Sequence, residues 1–176
     1  MTLPISTGTY KIDTTHSQIG FAVKHLGIST VRGTFDSYRG ELVVGASLAD
    51  TSVTIEADMA SVNSGNKFRD DHIQNADFFD TADHPMLEFR STSVTEADDG
   101  YVLAGDLTIR GVTQPVSLAV LFNGSSPFPL DQSTHFGFEA TGVISRSAFG
   151  VSYGVRMVSD DVRLQLDVQF VDPAKG

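Results

Sequence analysis

A mainly β fold, an antiparallel up-and-down barrel of about eight strands with a short helical insertion, is predicted by three features of the sequence. Apolar and polar residues alternate with period two through most of the chain. Clusters of Gly, Asn and Asp interrupt that alternation repeatedly, and one stretch, residues 61–80, departs from it. Strands that are apolar on one side only suit an antiparallel sheet wetted on its other face, and closing that sheet removes the edges that would pair with other chains. At 176 residues the chain is long enough to core one domain, taken as residues 8–172, and short for two.

The first long segment places Ile19, Phe21, Val23 and His25 on one face and Gln18, Gly20, Ala22 and Lys24 on the other. After a turn at Gly27, Val31, Gly33 and Phe35 continue the apolar face. Tyr38-Arg39-Gly40 then shifts the phase ahead of Leu42 and Val44, as a β-bulge would. Val53, Ile55, Ala57 and Met59 alternate with Thr54, Glu56 and Asp58. The same rhythm returns in Leu87, Phe89 and Ser91, in Tyr101 to Ile109, in Val116 to Phe122, in Phe136 to Ile144, and in Val162 to Phe170. Residues 61–80 predict two short helices: Ser64 or Asn66 caps the first, whose apolar side is Phe68 with His72 or Ile73. Asp77 caps the second, and Asp83-His84-Pro85 stops it. Such an insertion would cover one side or one mouth of a barrel. The Pro/Ser-rich residues 123–129 read as a surface connection, and their sequon at Asn123 as coincidence.

Composition removes several functions. Acidic residues outnumber basic ones 22 to 12, a net charge of −10, which disfavours nucleic acid. Cysteine is absent, and with it disulfides, thiolate metal sites and cysteine nucleophiles. No apolar run approaches the roughly 18 residues of a membrane span. The start at Met1 lacks the basic and apolar regions of a signal peptide, so a cytoplasmic location is expected, or a periplasmic or secreted one if Met1 is not the native start.

Dinucleotide, P-loop, HExxH and GxSxG patterns are missing. His16 beside Asp13, and His72 beside Asp70 and Asp71, are the best-placed metal ligands, but local hydrogen bonding is the preferred reading, and neither metal nor cofactor is expected. His25 ends an apolar face, where its ring meets either a ligand head group or an internal partner. Arg146 interrupts an apolar run and pairs either with an anionic head group or with Asp70 or Asp71; for both residues the internal partner is favoured.

Twelve Phe and no Trp give most of the ring area no hydrogen-bonding handle, as in dry interiors and apolar ligand chambers. Small residues, Gly33, Ala57, Gly105, Ala140 and Gly142, share the inward faces with those rings and would leave the lumen unfilled. The lining expected of such a chamber is Phe21, Val23, His25, Phe35, Ile55, Met59, Phe89, Leu107, Ile109, Phe136 and Phe138 from strands. Phe68, Ile73, Phe78 and Phe79 come from the insertion, and Arg146 and Phe149 from residues 145–150.

These residues carry a family resemblance. Tyr10-Lys11-Ile12-Asp13, His16-Ser17, Phe21-Ala22-Val23-Lys24-His25-Leu26-Gly27, Val31-Arg32-Gly33-Thr34-Phe35, Arg69-Asp70-Asp71-His72, Asp77-Phe78-Phe79-Asp80, His84-Pro85, Phe89, the run from Gly105 to Thr113, and Arg146-Ser147-Ala148-Phe149-Gly150 occur in order along nearly the whole chain. In them the sequence resembles the YceI-like family of bacterial lipid-binding proteins. Ile73 and His84 stand where that family often has Leu and Tyr.

The resemblance implies a lipocalin-like barrel that holds a long amphiphile, such as a polyisoprenoid, an isoprenoid quinone or a fatty-acid derivative, without catalysis and often as a homodimer. Burying a twenty-carbon tail gains of order 15 kcal/mol at about 0.8 kcal/mol per methylene. Ordering and immobilising the tail take back about 4–15 kcal/mol. The rival readings are a lipid-modifying enzyme using Asp70, His72 and His16 or His25, and a structural or stress-linked barrel with a filled interior.

Overall fold

The computed structural model describes residues 2–172. Their alternation resolves into eleven strands of one sheet: β1 (Gly8–Ile12), β2 (Gln18–His25), β3 (Ser29–Phe35), β4 (Tyr38–Val44), β5 (Ser52–Asp58), β6 (Val62–Asn63), β7 (Met86–Ala97), β8 (Gly100–Ile109), β9 (Val112–Pro127), β10 (Thr134–Ser145) and β11 (Asp161–Val171). Every pairing between them is antiparallel.

Eleven strands make eight staves because three staves are bent. β1 and β2 lie end to end along β11: Ile12 pairs with Phe170, and Gln18 to Ala22 pair with Asp167 to Arg163. β3 and β4 follow one another along them in the same way, since β3 pairs with β2 and β4 with β1. β5 and β6 form the third bent stave, and β7 to β11 complete the circuit back to the first. The result is the expected closed, up-and-down, eight-stranded barrel.

Each bend has a local cause. Asp36 and Ser37 interrupt the second stave and move its inward residues from the odd positions Gly33 and Phe35 to the even positions Leu42 and Val44. The phase shift therefore sits just ahead of the expected bulge at Tyr38-Arg39-Gly40. The Asp36 N–H donates to the Ser61 carbonyl (3.2 Å) and the Ser37 N–H to Ser61 Oγ (3.0 Å), which pins this bend to a 3₁₀ turn at Met59–Ser61 in the third stave. At the β8–β9 hairpin Ile109 faces Val112, and the two residues between them, Arg110 and Gly111, have φ of 51° and 72°. A two-residue turn of this hand matches the twist of its strands, and Gly111 takes the second positive φ without a side-chain penalty.

The insertion holds one helix, α1 (Lys67–Gln74), where the sequence predicts two. Asn66 caps it by accepting the Arg69 N–H at 3.0 Å. The second helix is replaced by tight turns. The Asn75 side chain takes the Asp77 N–H (2.9 Å), and the Asn75 carbonyl takes the Phe78 and Asp80 N–H groups (3.0 Å each). Asp77 therefore caps nothing, and its carboxylate meets His72 Nε2 at 2.9 Å. The insertion covers one end of the barrel, here the upper end. At the lower end Tyr10 packs edge-on against Phe136 with ring centres 4.9 Å apart. No helix among the described residues is long and apolar enough to cross a membrane.

Candidate functional site

The barrel encloses a chamber of about 290 Å³, near the lower end of the range for small-molecule sites. It follows the inward face of β11 from Val162 to Phe170, a path of roughly 26 Å at the strand rise per residue. The wall is carbon almost throughout; apart from the Tyr101 ring, its polar side chains are Thr51, Arg69, His72 and Arg146. Thr51 Oγ1 is spent on the Ser47 carbonyl (2.9 Å) and the Gly45 N–H (3.2 Å). The other three cluster at the upper end.

The small inward residues keep the lumen open in a different way from the one expected. A Cβ on Gly33 would stand 2.4 Å from the Phe21 ring, on Gly105 2.4 Å from the Phe89 ring, and on Gly142 2.6 Å from Leu118. The glycines are therefore not gaps, because large side chains already lie over them. Resting against bare backbone, those side chains stay closer to the wall than a Cβ would allow. Ala57 is fully buried in the core, whereas Ala140 lines the chamber.

Of the lining expected from sequence, Phe21, Val23, Phe35, Ile55, Ile73, Phe78, Phe79, Phe89, Leu107, Ile109, Phe138, Arg146 and Phe149 border the chamber. His25, Met59, Phe68 and Phe136 do not. His25 is exposed at the end of β2, beyond the rim, where it bridges to Val158. Met59 is buried, but the 3₁₀ turn at the bend of the third stave carries it out of the strand's alternation. Phe68, on the first turn of α1, is 86% exposed, and Ile73 and His72 one turn further on border the chamber. Phe136 packs on Tyr10 at the lower end.

Wall residues absent from that expectation include Ile19, Leu103, Leu118, Leu164, Leu166 and Arg69. The alternation of β2, β8, β9 and β11 exposes the first five to sequence reading. Arg69 has no such signal. It donates Nε to Ser64 Oγ (2.7 Å) and Nη2 to the Ser64 carbonyl (2.8 Å), and its Nη1 carries no hydrogen bond among the described residues.

Arg146 pairs with neither Asp70 nor Asp71. Its guanidinium donates to four main-chain carbonyls: Nε to Ser159 (2.9 Å), Nη1 to Val151 (2.9 Å) and Tyr153 (2.8 Å), and Nη2 to Val158 (2.9 Å). Burial pulls its pKa down, and the charge of Asp160 opposes this. With five donors in all, at most one remains for a ligand. Arg146 is thus a clamp on residues 151–159, which form one side of the upper end.

Asp160 braces the same loop. Ser145 Oγ donates to its Oδ2 (2.5 Å) and the Ser147 N–H to its Oδ1 (2.9 Å). The Ser145 hydroxyl first, then Ser147 and the Arg146 charge, hold the Asp160 carboxyl below its usual range against a desolvation cost. A carboxyl depressed on folding contributes stability that is complete above its unfolded pKa near 3.9 and is lost as pH falls through its folded value. Asp160→Asn should therefore flatten the acid limb of stability. Urea midpoints between pH 5 and pH 2.5 check this, and equal slopes in the two proteins would contradict it.

The groups of the catalytic alternative are not gathered into one constellation. Asp70 Oδ1 accepts from the Ser64 N–H (2.9 Å) and Oγ (2.5 Å), His72 meets Asp77, and His16 Nδ1 meets Asp13 Oδ2 at 2.7 Å. Among the described residues no group of three or more His, Asp and Glu side chains is placed to share a cation.

Comparison with known proteins agrees with this architecture. The YceI-like domain matches residues 10–170. A UPF0312 protein of Staphylococcus aureus is 34% identical over 165 residues, covering 92% of each chain. BcnA of Burkholderia cenocepacia superposes with a TM-score of 0.79 at 24% identity, over 90% of this chain and 98% of that one. A domain of Saccharophagus degradans, described as polyisoprenoid binding and implicated in plant cell wall breakdown, superposes with a TM-score of 0.70 at 17% identity, over 93% and 98%. These last two likenesses establish the shared fold.

Proposed function

We propose that this chain, which belongs to the YceI-like family, binds and carries a long amphiphilic lipid without altering it. The observation that carries the reading is the chamber itself, a hydrocarbon-lined space running along the barrel with Arg69, His72 and Arg146 gathered at one end. Water in such a space finds almost no partners, whereas an alkyl or isoprenoid tail gives up no hydrogen bond by entering it. The polyisoprenoid-binding description of the Saccharophagus domain points the same way, although its likeness to this chain is one of fold. Arg69 and Arg146 make the upper end the electropositive end of the wall, so an anionic or hydrogen-bond-accepting head belongs there. Arg69 Nη1 is the donor with capacity to meet it.

Affinity should follow tail length. Each added methylene is worth about 0.8 kcal/mol, or roughly fourfold in Kd, until the chamber is full. Discrimination between neighbouring lengths is correspondingly weak. Titration with a homologous series of fatty acids should show that climb and then a plateau. Solvent extraction of the purified protein with mass spectrometry should return a stoichiometric lipid. An extract without lipid, together with no uptake across the series, would overturn the reading in favour of a barrel acting through its outer surface.

A further inference from the structure

Six large apolar side chains are exposed together around the upper end of the barrel. Leu26 (55% exposed) and Ile28 (84%) form the β2–β3 tip, Phe68 (86%) stands on the first turn of α1, and Tyr153 (44%), Val155 (60%) and Met157 (47%) belong to the loop clamped by Arg146. These segments are distant in sequence and joined in space. The Leu26 N–H donates to the Met157 carbonyl (2.7 Å), and the Tyr153 ring packs on His72 and Phe78 with centres 5.3 Å from each. Phe68 precedes His72 by one helical turn. Other exposed large apolar residues, Leu121, Leu130 and Val143, stand singly on β9, the β9–β10 connection and β10. Scattered residues of that kind are ordinary on a protein surface, whereas a joined crown is not.

Basic residues without ion-pair partners stand around the crown. The chain carries −10, yet Lys24, Arg32, Arg156 and Arg163 are exposed on β2, β3, the 151–159 loop and β11 and make no ion pair among the described residues. Arg163, Ala22 and Arg32 fall in one cross-strand row on the outer face. Acidic groups share this end: Asp71 pairs with Lys67 and Asp77 meets His72, Asp70 and Asp160 accept from serines, and Asp83 and Asp161 are exposed, so the attraction is local to the basic residues.

We propose that this end docks on the surface of a lipid bilayer, the loop tips entering the headgroup region while the basic residues face anionic headgroups. Amphipathic surfaces bind bilayers by this combination of buried apolar area and local positive charge. The crown is also continuous with the chamber, because His72, Phe78 and Val158 border both. A tail could then pass between membrane and barrel without crossing water, and in that respect the proposal rests on the lipid-carrying reading above.

The test is flotation of the full chain with vesicles of phosphatidylcholine, with and without phosphatidylglycerol. It compares wild type with the double variant Ile28→Ser/Val155→Ser, neither of whose residues lines the chamber. Wild type should float with the anionic vesicles and less so at high salt, and partition of the variant should fall by about tenfold or more. Uptake of a fluorescent fatty acid dispersed in buffer should stay within about twofold of wild type.

Wild type that does not float, or a variant that floats equally well, would overturn the proposal. So would a wild-type dimer that the double variant dissociates without vesicle binding, since the crown would then join two copies of this chain. Flotation with no fatty-acid uptake would remove the carrier reading and leave docking supported.

Discussion

Gly33→Ala is expected to cost the protein about fifteenfold to two-hundredfold in affinity for a long tail while leaving the barrel folded. The three heavy atoms nearest the added methyl, at 2.4, 2.8 and 3.1 Å, all belong to the Phe21 ring. The obstacle is thus the free end of one side chain with an unfilled lumen beside it, so the ring swings off the wall and into the chamber. A displaced ring excludes two to four methylenes of ligand, at about 0.8 kcal/mol each.

The stability change is a contest between two terms. Replacing Gly by Ala restricts the unfolded chain and stabilises by about 0.4–1 kcal/mol. Crowding a packed wall costs about 1–3 kcal/mol. A modest net loss should result, visible as a small fall in urea midpoint. Phe21→Leu/Gly33→Ala then supplies the decisive comparison, because the shorter side chain clears the new methyl and tail affinity should return most of the way. If Gly33→Ala binds tails as wild type does, or if Phe21→Leu fails to rescue it, the seated rings are not what holds the lumen open.

That effect marks the limit of what alternation can reveal. Period two identifies which residues of β2, β5, β8 or β11 face inward, and barrel closure follows from that one-sidedness. It does not reveal how far an inward side chain reaches. Gly33 and Phe21 are cross-strand partners, so the void depends on a pairing register that neither strand encodes by itself. The insertion was harder to read, because Phe68, His72 and Ile73 satisfy helical spacing whichever side of α1 faces the barrel. The second helix failed because Asn75 offers both a side chain and a carbonyl to the following N–H groups, and its turns compete with a helical start. Arg69 and Arg146 could not be assigned from their neighbours in sequence. Arg146 has main-chain carbonyls for partners, which leave no residue signature.

Arg146→Met is expected to be among the most destabilising single substitutions in the chain, by about 3–5 kcal/mol, because charge-assisted bonds to four carbonyls disappear together. Methionine approximates the volume, so the loss isolates hydrogen bonding from cavity formation. For a chain of this length it corresponds to roughly 6–20 °C in melting temperature. Arg146→Lys should recover little, since an ammonium at one point cannot reach carbonyls that the planar fork meets from several sides.

The two roles open to this residue predict different consequences. A head-group ligand would show its loss in tail affinity with stability nearly unchanged. A loop clamp would show it in melting temperature and in faster amide exchange across residues 151–159. Tail release would also quicken, because Phe149, Val151 and Val158 form part of the chamber wall. Normal stability combined with a selective loss of affinity for anionic tails would therefore move Arg146 from scaffold to binding site, and Arg69 would no longer be the donor expected to meet the head.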